Sequence, residues 1–324
     1  MGFRTLLTDL FGIRHPILLA PMGGVSGGAL AAAVSQAGGL GLLGPGYADE
    51  TWIEREFAAA NGVPVGIGFI TWHLARHPDR LQAALAQKPA AVMLSFGDPS
   101  PFVASIRAAG ARLILQVQTL ADARAAAALG ADVVVAQGSE AGGHGAQRAT
   151  LPLVPAVVDA IAPTPVAAAG GIADGRGLAA ALVLGAAGAL VGTRFYASRE
   201  ALGQAAAKAR LVDGGGDATL RTTVFDLVRG IDWPAPFTGR ALGNRLSESW
   251  HGREAELQTR LPAEQQRYAA AAQAGDVSST VVWASEAVDL IRDLPPAAEI
   301  VQRMVSEASA ALQRGLARRD DADR

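Results

Sequence analysis

The chain has 324 residues, a formal net charge of −2 and no cysteine; half of it is hydrophobic and 18% is charged. Without cysteine there is no disulfide framework, no Cys-ligated zinc or iron–sulfur centre and no thiol nucleophile. Without a basic excess there is no electrostatic footprint for nucleic acid, while the length suffices for one large domain or two ordinary ones.

At the N-terminus, Arg4, Asp9 and Arg14 interrupt the apolar stretch a signal peptide needs, and Leu6 stands where myristoylation needs Ser or Thr. A cytoplasmic location is therefore expected. Runs of aliphatic and β-branched residues then predict strands at 17–20, 41–44, 65–69, 91–95, 113–117, 133–137, 166–169 and 189–192. Ala/Leu-rich helical segments such as 120–129 and 178–184 lie between them. The strands lack polar/apolar alternation, as expected when helices cover a parallel sheet and both faces are buried. Eight such units, most of βα length, predict an α/β fold: a closed (β/α)8 TIM barrel. An open Rossmann sheet needs G-x-G-x-x-G after its first strand, and Gly23–Gly28 (GGVSGG) does not supply it. The uncharged run 177–193 is short for a membrane span and broken by Gly185 and Gly188, so it reads as a buried helix, a turn and a buried strand. No membrane association is expected.

The sixth connection, GSEAGGHGAQRA, is long, and Thr150 ahead of Leu151-Pro152 is a candidate N-cap for the next helix. Beyond residue 205 the pattern becomes more polar. The expected organisation is a barrel over 1–205, a mostly helical lid or substrate lobe over 206–284, and a final segment, 285–324. In that segment Ile300, Val301, Met304, Val305, Ala308 and Leu312 have helical spacing, so a helix packs back on the barrel and 318–324 frays.

Glycine-bearing tips follow three strands: Ala20-Pro21-Met22-Gly23-Gly24, Ala169-Gly170-Gly171-Ile172 and Val191-Gly192-Thr193-Arg194. The last two follow the seventh and eighth strands, where barrels build phosphate sites from backbone N–H groups; the competing reading is a pair of tight βα turns. His144, flanked by glycines in the sixth loop, is the candidate acid/base, mobile enough to approach a substrate. Glu140 is either its orienting carboxylate or a surface charge. His73 and His77 share a helix face but lack the rest of a zinc motif, and read as a solvated helix start. Trp52, Trp72, Trp233 and Trp283 could pack a ring system or fill core. No P-loop, G-x-S-x-G elbow or Asp-rich metal cluster is present.

Over residues 13–200 the chain resembles the nitronate monooxygenase family, formerly 2-nitropropane dioxygenases. The resemblance rests on PILLAPMGGVSGGALAAAVSQAGGLGLLG, VVVAQGSEAGGHGA and PVAAAGGIADGRGLAAALVLGAAGALVGTRF. It implies FMN held at the barrel mouth. Ala20, Pro21, Met22 and Gly23 would line the flavin ring, and Gln137, Gly142 and Gly143 would contact the flavin and its ribityl chain. Ala169, Gly170, Gly171, Gly192 and Thr193 would hold the phosphate end. Gly68 is also placed among the cofactor residues, although the family often has Asn in this strand. His144 falls on the family's catalytic histidine. The implied reaction is oxidation of a nitronate or nitroalkane by O₂, with no metal, and a homodimer is left open. The alternative is an NAD(P)H-dependent FMN reductase acting on a quinone or an enoyl thioester. An IMP dehydrogenase-like reaction is excluded for want of a cysteine, and a non-catalytic phosphate-binding barrel is the remaining rival.

Overall fold

In the computed structural model, which describes residues 2–320, eight parallel strands form the barrel. They are β1 (Ile17–Leu19), β2 (Leu42–Leu43), β3 (Gly66–Ile70), β4 (Ala91–Ser95), β5 (Arg112–Val117), β6 (Val133–Gln137), β8 (Val166–Ala169) and β9 (Gly188–Val191). β7 (Gly143–Gly145) lies outside the barrel. The order is β1-β9-β8-β6-β5-β4-β3-β2, and a parallel bridge between Leu18 and Leu40 closes the ring. The TIM barrel predicted from the eight runs is therefore the fold. β1 and β2 are shorter than predicted. At the end of β2 the main chains crowd: a Cβ on Gly44 would lie 2.4 Å from the Met22 amide nitrogen.

Side-chain direction alternates along each strand and sorts the core in two. Leu18, Leu42, Met93, Ile114, Val135, Ala167 and Leu190 fill the barrel interior, closed below by Leu7 of the helix Leu6–Phe11. Ile17, Leu43, Ile67, Leu94, Leu115, Val134 and Val191 face outward into the helical layer. Near the strand C-termini, Gly68, Gln116, Gln137, Ala169 and Gly192 border a cavity instead of filling the axis. The uncharged run resolves as expected into the helix Gly175–Val183, a turn and β9.

Two expectations change beyond the barrel. The long sixth connection is not simply a loop: β7 pairs antiparallel with β11 (Thr238–Leu242), which pairs with β10 (Thr219–Thr222). The segment 206–284 thus contributes two strands as well as helices. Among the latter, Val224–Arg229, Arg245–Trp250 and Glu254–Thr259 share a small apolar cluster of Val224, Val228, Trp250 and Leu257. Thr150 is the first residue of the helix Thr150–Ile161, not its cap; the Glu140 carboxylate accepts from its N–H at 2.9 Å.

The C-terminal helix, Ala297–Asp320, lies on the helix Gly175–Val183. A Cβ on Gly175 would meet the Ala308 amide nitrogen at 2.4 Å, and the Gly175 N–H donates to Glu307 Oε2 at 2.9 Å. The helix continues through Asp320; the expectation of fraying for 321–324 lies outside the described residues.

Candidate active site

A cavity of about 400 Å³ opens at the C-terminal ends of the barrel strands. All the residues that the resemblance assigns to cofactor and chemistry border it: Ala20, Pro21, Met22, Gly23, Gly68, Gln137, Gly142, Gly143, His144, Ala169, Gly170, Gly171, Gly192 and Thr193.

At the β8 end, Gly170 and Gly171 have φ of 103° and 73°, a region that favours glycine. The turn also leaves no space: a Cβ on Gly170 would lie 2.9 Å from Thr150 Oγ1 and 3.0 Å from the Gly138 oxygen. Among the described residues, the Gly171 and Ile172 amides donate to no protein acceptor. At the β9 end, Thr193 Oγ1 accepts from the Ser285 N–H at 3.0 Å, which leaves its own O–H to donate. These paired tips present donors to an anion, as a phosphate requires. On the opposite side, a Cβ on Gly68 would lie 2.3 Å from Pro21 Cγ. Pro21 thus occupies the space that the family's common Asn would need.

His144 is not the mobile loop residue expected from its glycine neighbours. It sits in β7 opposite Gly239 of β11, and its side chain is 8% exposed. The β6–β7 connection is clamped from outside. Arg221 donates to the carbonyls of Ser139, Gly145 and Thr238, and Arg240 donates to the same Ser139 carbonyl. Burial, then Arg240, lowers the Arg221 pKa to about 10. From inside, Gln137 Nε2 donates to the His144 carbonyl at 3.1 Å, while Gln137 Oε1 accepts from Gln116 and Gln118 at 2.9 Å each.

The partner of His144 is Asp226, on the helix Val224–Arg229, with Nε2 to Oδ2 at 2.8 Å and the carboxylate only 4% exposed. Sequence reading missed it because 82 positions separate the two. The only available signal was an aspartate inside an apolar helix segment. Glu140, the carboxylate considered for that role, is instead bound to Thr150. Burial lowers the His144 pKa from its ordinary value, and the Asp226 hydrogen bond opposes the shift without reversing it. The imidazole is therefore neutral near pH 7. With Nε2–H donated to Asp226, Nδ1 carries the lone pair and can accept a proton.

Aromatic rings cover this pair. Trp233 stacks on His144 with centroids 3.5 Å apart and planes within 6°, and Trp283 lies at 5.0 Å. Trp233 Nε1 donates to the Tyr47 hydroxyl at 2.8 Å, and Trp72 and Phe96 meet its edge. Two of the four tryptophans considered, Trp233 and Trp283, thus border the cavity, and Trp72 backs Trp233; Trp52 packs against the outer core. Arg229 also borders the cavity; its guanidinium stands 3.8 Å from Asp226 Oδ1, beyond hydrogen-bond distance, and lies over the Tyr47 and Trp283 rings. Among the described residues no group of His, Asp or Glu is arranged to hold a metal, and no helix is long and apolar enough to cross a membrane.

A barrel whose seventh and eighth strands end in glycine-rich tips beside a cavity, with a buried His–Asp pair at its mouth, has the architecture of phosphate-cofactor-binding barrel enzymes. The nitronate monooxygenase family profile matches residues 4–67 and 53–307, well beyond the 13–200 recognised by motif. Nitronate monooxygenase npaC of Metarhizium robertsii is 39% identical, with 92% of each chain covered. A 5-hydroxy-7a-methyl-1-oxo-octahydro-1H-indene-4-carboxyl-CoA dehydrogenase of Mycobacterium tuberculosis is 40% identical over 70% of this chain and 65% of its own. FabK of Thermotoga maritima superposes with a TM-score of 0.84 at 28% identity, covering 97% of this chain and 98% of that one. The chain belongs to the nitronate monooxygenase family and is an FMN-binding, flavin-dependent oxidoreductase. The cavity volume, the unpartnered amides and the glycine-lined walls fit that group.

Proposed function

We propose that the protein is an NAD(P)H-dependent FMN reductase whose acceptor is an enoyl thioester, with His144 and Asp226 handling the proton. The observation that carries this reading is the imidazole paired with a buried carboxylate beneath an aromatic shelf. A nitronate is a small anion and calls for a cation facing the reacting centre; Arg229 borders the cavity, but its charge is offset by Asp226, 3.8 Å away. An apolar acyl chain, by contrast, suits walls of Phe96, Trp233 and Trp283.

In the proposed cofactor site, Ala169, Gly170, Gly171, Gly192 and Thr193 hold the phosphate. Ala20, Pro21, Met22, Gly23 and Gly68 lie against the ring system, and Gln137, Gly142 and Gly143 contact the ribityl side. Bound FMN supplies hydride exchange between the nicotinamide and the β-carbon of the acceptor. His144 takes up one proton from solvent, is held as the imidazolium against the buried Asp226, and delivers that proton to the α-carbon next to the thioester carbonyl, returning to the neutral form. The balance is NAD(P)H, enoyl thioester and one proton giving NAD(P)⁺ and the saturated thioester. Segment 206–284, which contributes Asp226, Trp233 and Trp283, acts as the substrate lobe over the 1–205 barrel, with 285–324 as the buttress.

Nitronate oxidation with O₂ is the second reading, favoured by the names of npaC and of the other relatives called nitronate monooxygenase. Anaerobic mixing with NADH or NADPH divides the two. Rapid flavin bleaching, reversed by an enoyl thioester, is the expected result. A flavin that stays oxidised with both nucleotides, alongside turnover of propionate 3-nitronate in air, would overturn the reductase reading.

A further inference from the structure

The connection after β3 brings an unusual set of side chains behind the cavity wall, where Trp72 packs against Trp233 and His73 against Tyr47. His73, Arg76, His77 and Arg80 follow Trp72 within ten residues, on the short helix Thr71–Leu74, the turn after it and the start of the helix Asp79–Ala86. The Arg76 guanidinium lies over the Trp72 ring at 5.0 Å and makes no salt bridge within 4.0 Å among the described residues. Arg80 Nη1 meets His73 Nε2, and its nearest carboxylate, Glu50, is 4.0 Å away, beyond hydrogen-bond distance. Asp79 is the other acidic residue in the stretch and is exposed. The rings of His73 and His77 are 4.7 Å apart.

Two further facts indicate that this cluster lacks a partner. Thr71 Oγ1, Trp72 Nε1 and Arg80 Nε are all buried side-chain atoms without a hydrogen bond, and Thr71 itself is 1% exposed. Such orphans are uncommon in a folded protein, and three within ten residues imply an acceptor-rich ligand. In addition, burial, then Arg80, His77 and Arg76, push the His73 pKa down to about 4. His73 is thus a neutral acceptor that fixes the Arg80 fork, and the charges acting on it are cations. An arginine stacked on an indole keeps its in-plane N–H donors free, the geometry that suits phosphate oxygens.

The cluster connects to the reacting centre through two rings. His144 stacks on Trp233, Trp233 meets Trp72 at 5.5 Å, and Trp72 carries Arg76. We infer that Arg76 and Arg80, aided by His77 and Trp72 Nε1, bind the phosphate-bearing nucleotide end of a co-substrate whose reactive end reaches His144. This is an anion site separate from the one at the β8 and β9 tips. It deepens the thioester-reductase reading and rests on it for the ligand class. Both a coenzyme A thioester and NADPH carry a phosphorylated adenosine on a long arm.

The test uses the flavin-loaded protein and fragments that cannot react. Adenosine 3′,5′-bisphosphate, the coenzyme A end, and adenosine 2′,5′-bisphosphate, the NADPH end, are titrated by calorimetry. At least one is expected to bind, more weakly as salt rises, and the fragment that binds names the source. Arg76→Gln and Arg80→Gln are each expected to weaken it about tenfold. Arg76 is exposed, so its variant is expected to fold, and unchanged flavin content checks this. Binding of neither fragment, or equal affinity in wild type and Arg76→Gln, would overturn the site. If fragment binding depends on Arg76 but no enoyl thioester is reduced, the anion site stands and the proposed acceptor falls.

Discussion

Asp226 raises the His144 pKa, whereas burial, to which the stacked Trp233 contributes, lowers it by a larger amount. These opposing effects give two variants opposite signatures. Replacing Asp226 with Asn removes the raising charge, so the alkaline limb of the pH–rate profile, where the proton donor is lost, is expected to move to lower pH while turnover falls. Replacing Trp233 with Ala admits water over the ring, weakens the desolvation and moves that limb up toward 6.5, whereas Trp233→Phe keeps a stacked ring and stays near wild type. His144→Ala is expected to lower turnover by about 10²–10⁴-fold with the flavin spectrum retained. Steady-state profiles of the four proteins check all of this, and limbs that move together in Asp226→Asn and Trp233→Ala would contradict the assignment. His144 was legible from its glycine-flanked loop and motif. Its immobility, Asp226 and the Trp233 stack were not, because a contact across 82 positions leaves no local spacing to read.

The same contrast governs the elements. Strands of the barrel were visible because burial on both faces turns them into unbroken aliphatic runs, as Val133–Gln137 and Ala91–Ser95 illustrate. Gly-His-Gly of β7 and Thr-Leu-Arg-Thr of β10 carry no such signature; tertiary pairing with β11 and the Arg221 clamp make β7 a strand. Arg221 is therefore expected to matter out of proportion to its distance from the chemistry. Arg221→Ala leaves the carbonyls of Ser139, Gly145 and Thr238 without that donor. A loss of roughly 2–3 kcal/mol is expected in urea unfolding, counting only the carbonyls that water cannot reach. Amide exchange should accelerate over 138–149 and not over the barrel strands. If exchange rises uniformly instead, Arg221 supports the whole fold and not this one strand.

At the scale of the molecule, the phosphate-ready tip after β8 runs directly into the helix Gly175–Val183, and the C-terminal helix is fitted against that helix without clearance. Its inward face was readable as the spacing of Ile300, Val301, Met304, Val305 and Ala308, all now buried, but the partner helix was not, since packing partners are set by topology. Arg194, just beyond the β9 tip, joins the same buttress through Asp293 at 3.1 Å, and Asp293 is also paired with Arg303. Both proposed phosphate-binding tips thus lean on the last quarter of the chain. Four of the buried side chains on this face are large, and each contributes roughly 1.5–3 kcal/mol by burial. Ending the chain at Pro296 therefore removes roughly 6–12 kcal/mol, comparable to the roughly 5–15 kcal/mol that holds a domain folded. The truncated chain is expected not to accumulate as a folded flavoprotein. Gly175→Val provides the graded version: its Cβ meets backbone at 2.4 Å, so the two helices must part by about 1 Å or more to reach ordinary contact. A thermal midpoint several degrees lower, together with faster loss of FMN on dilution, is the expected result. A lower midpoint with unchanged FMN release would separate the buttress from the phosphate site.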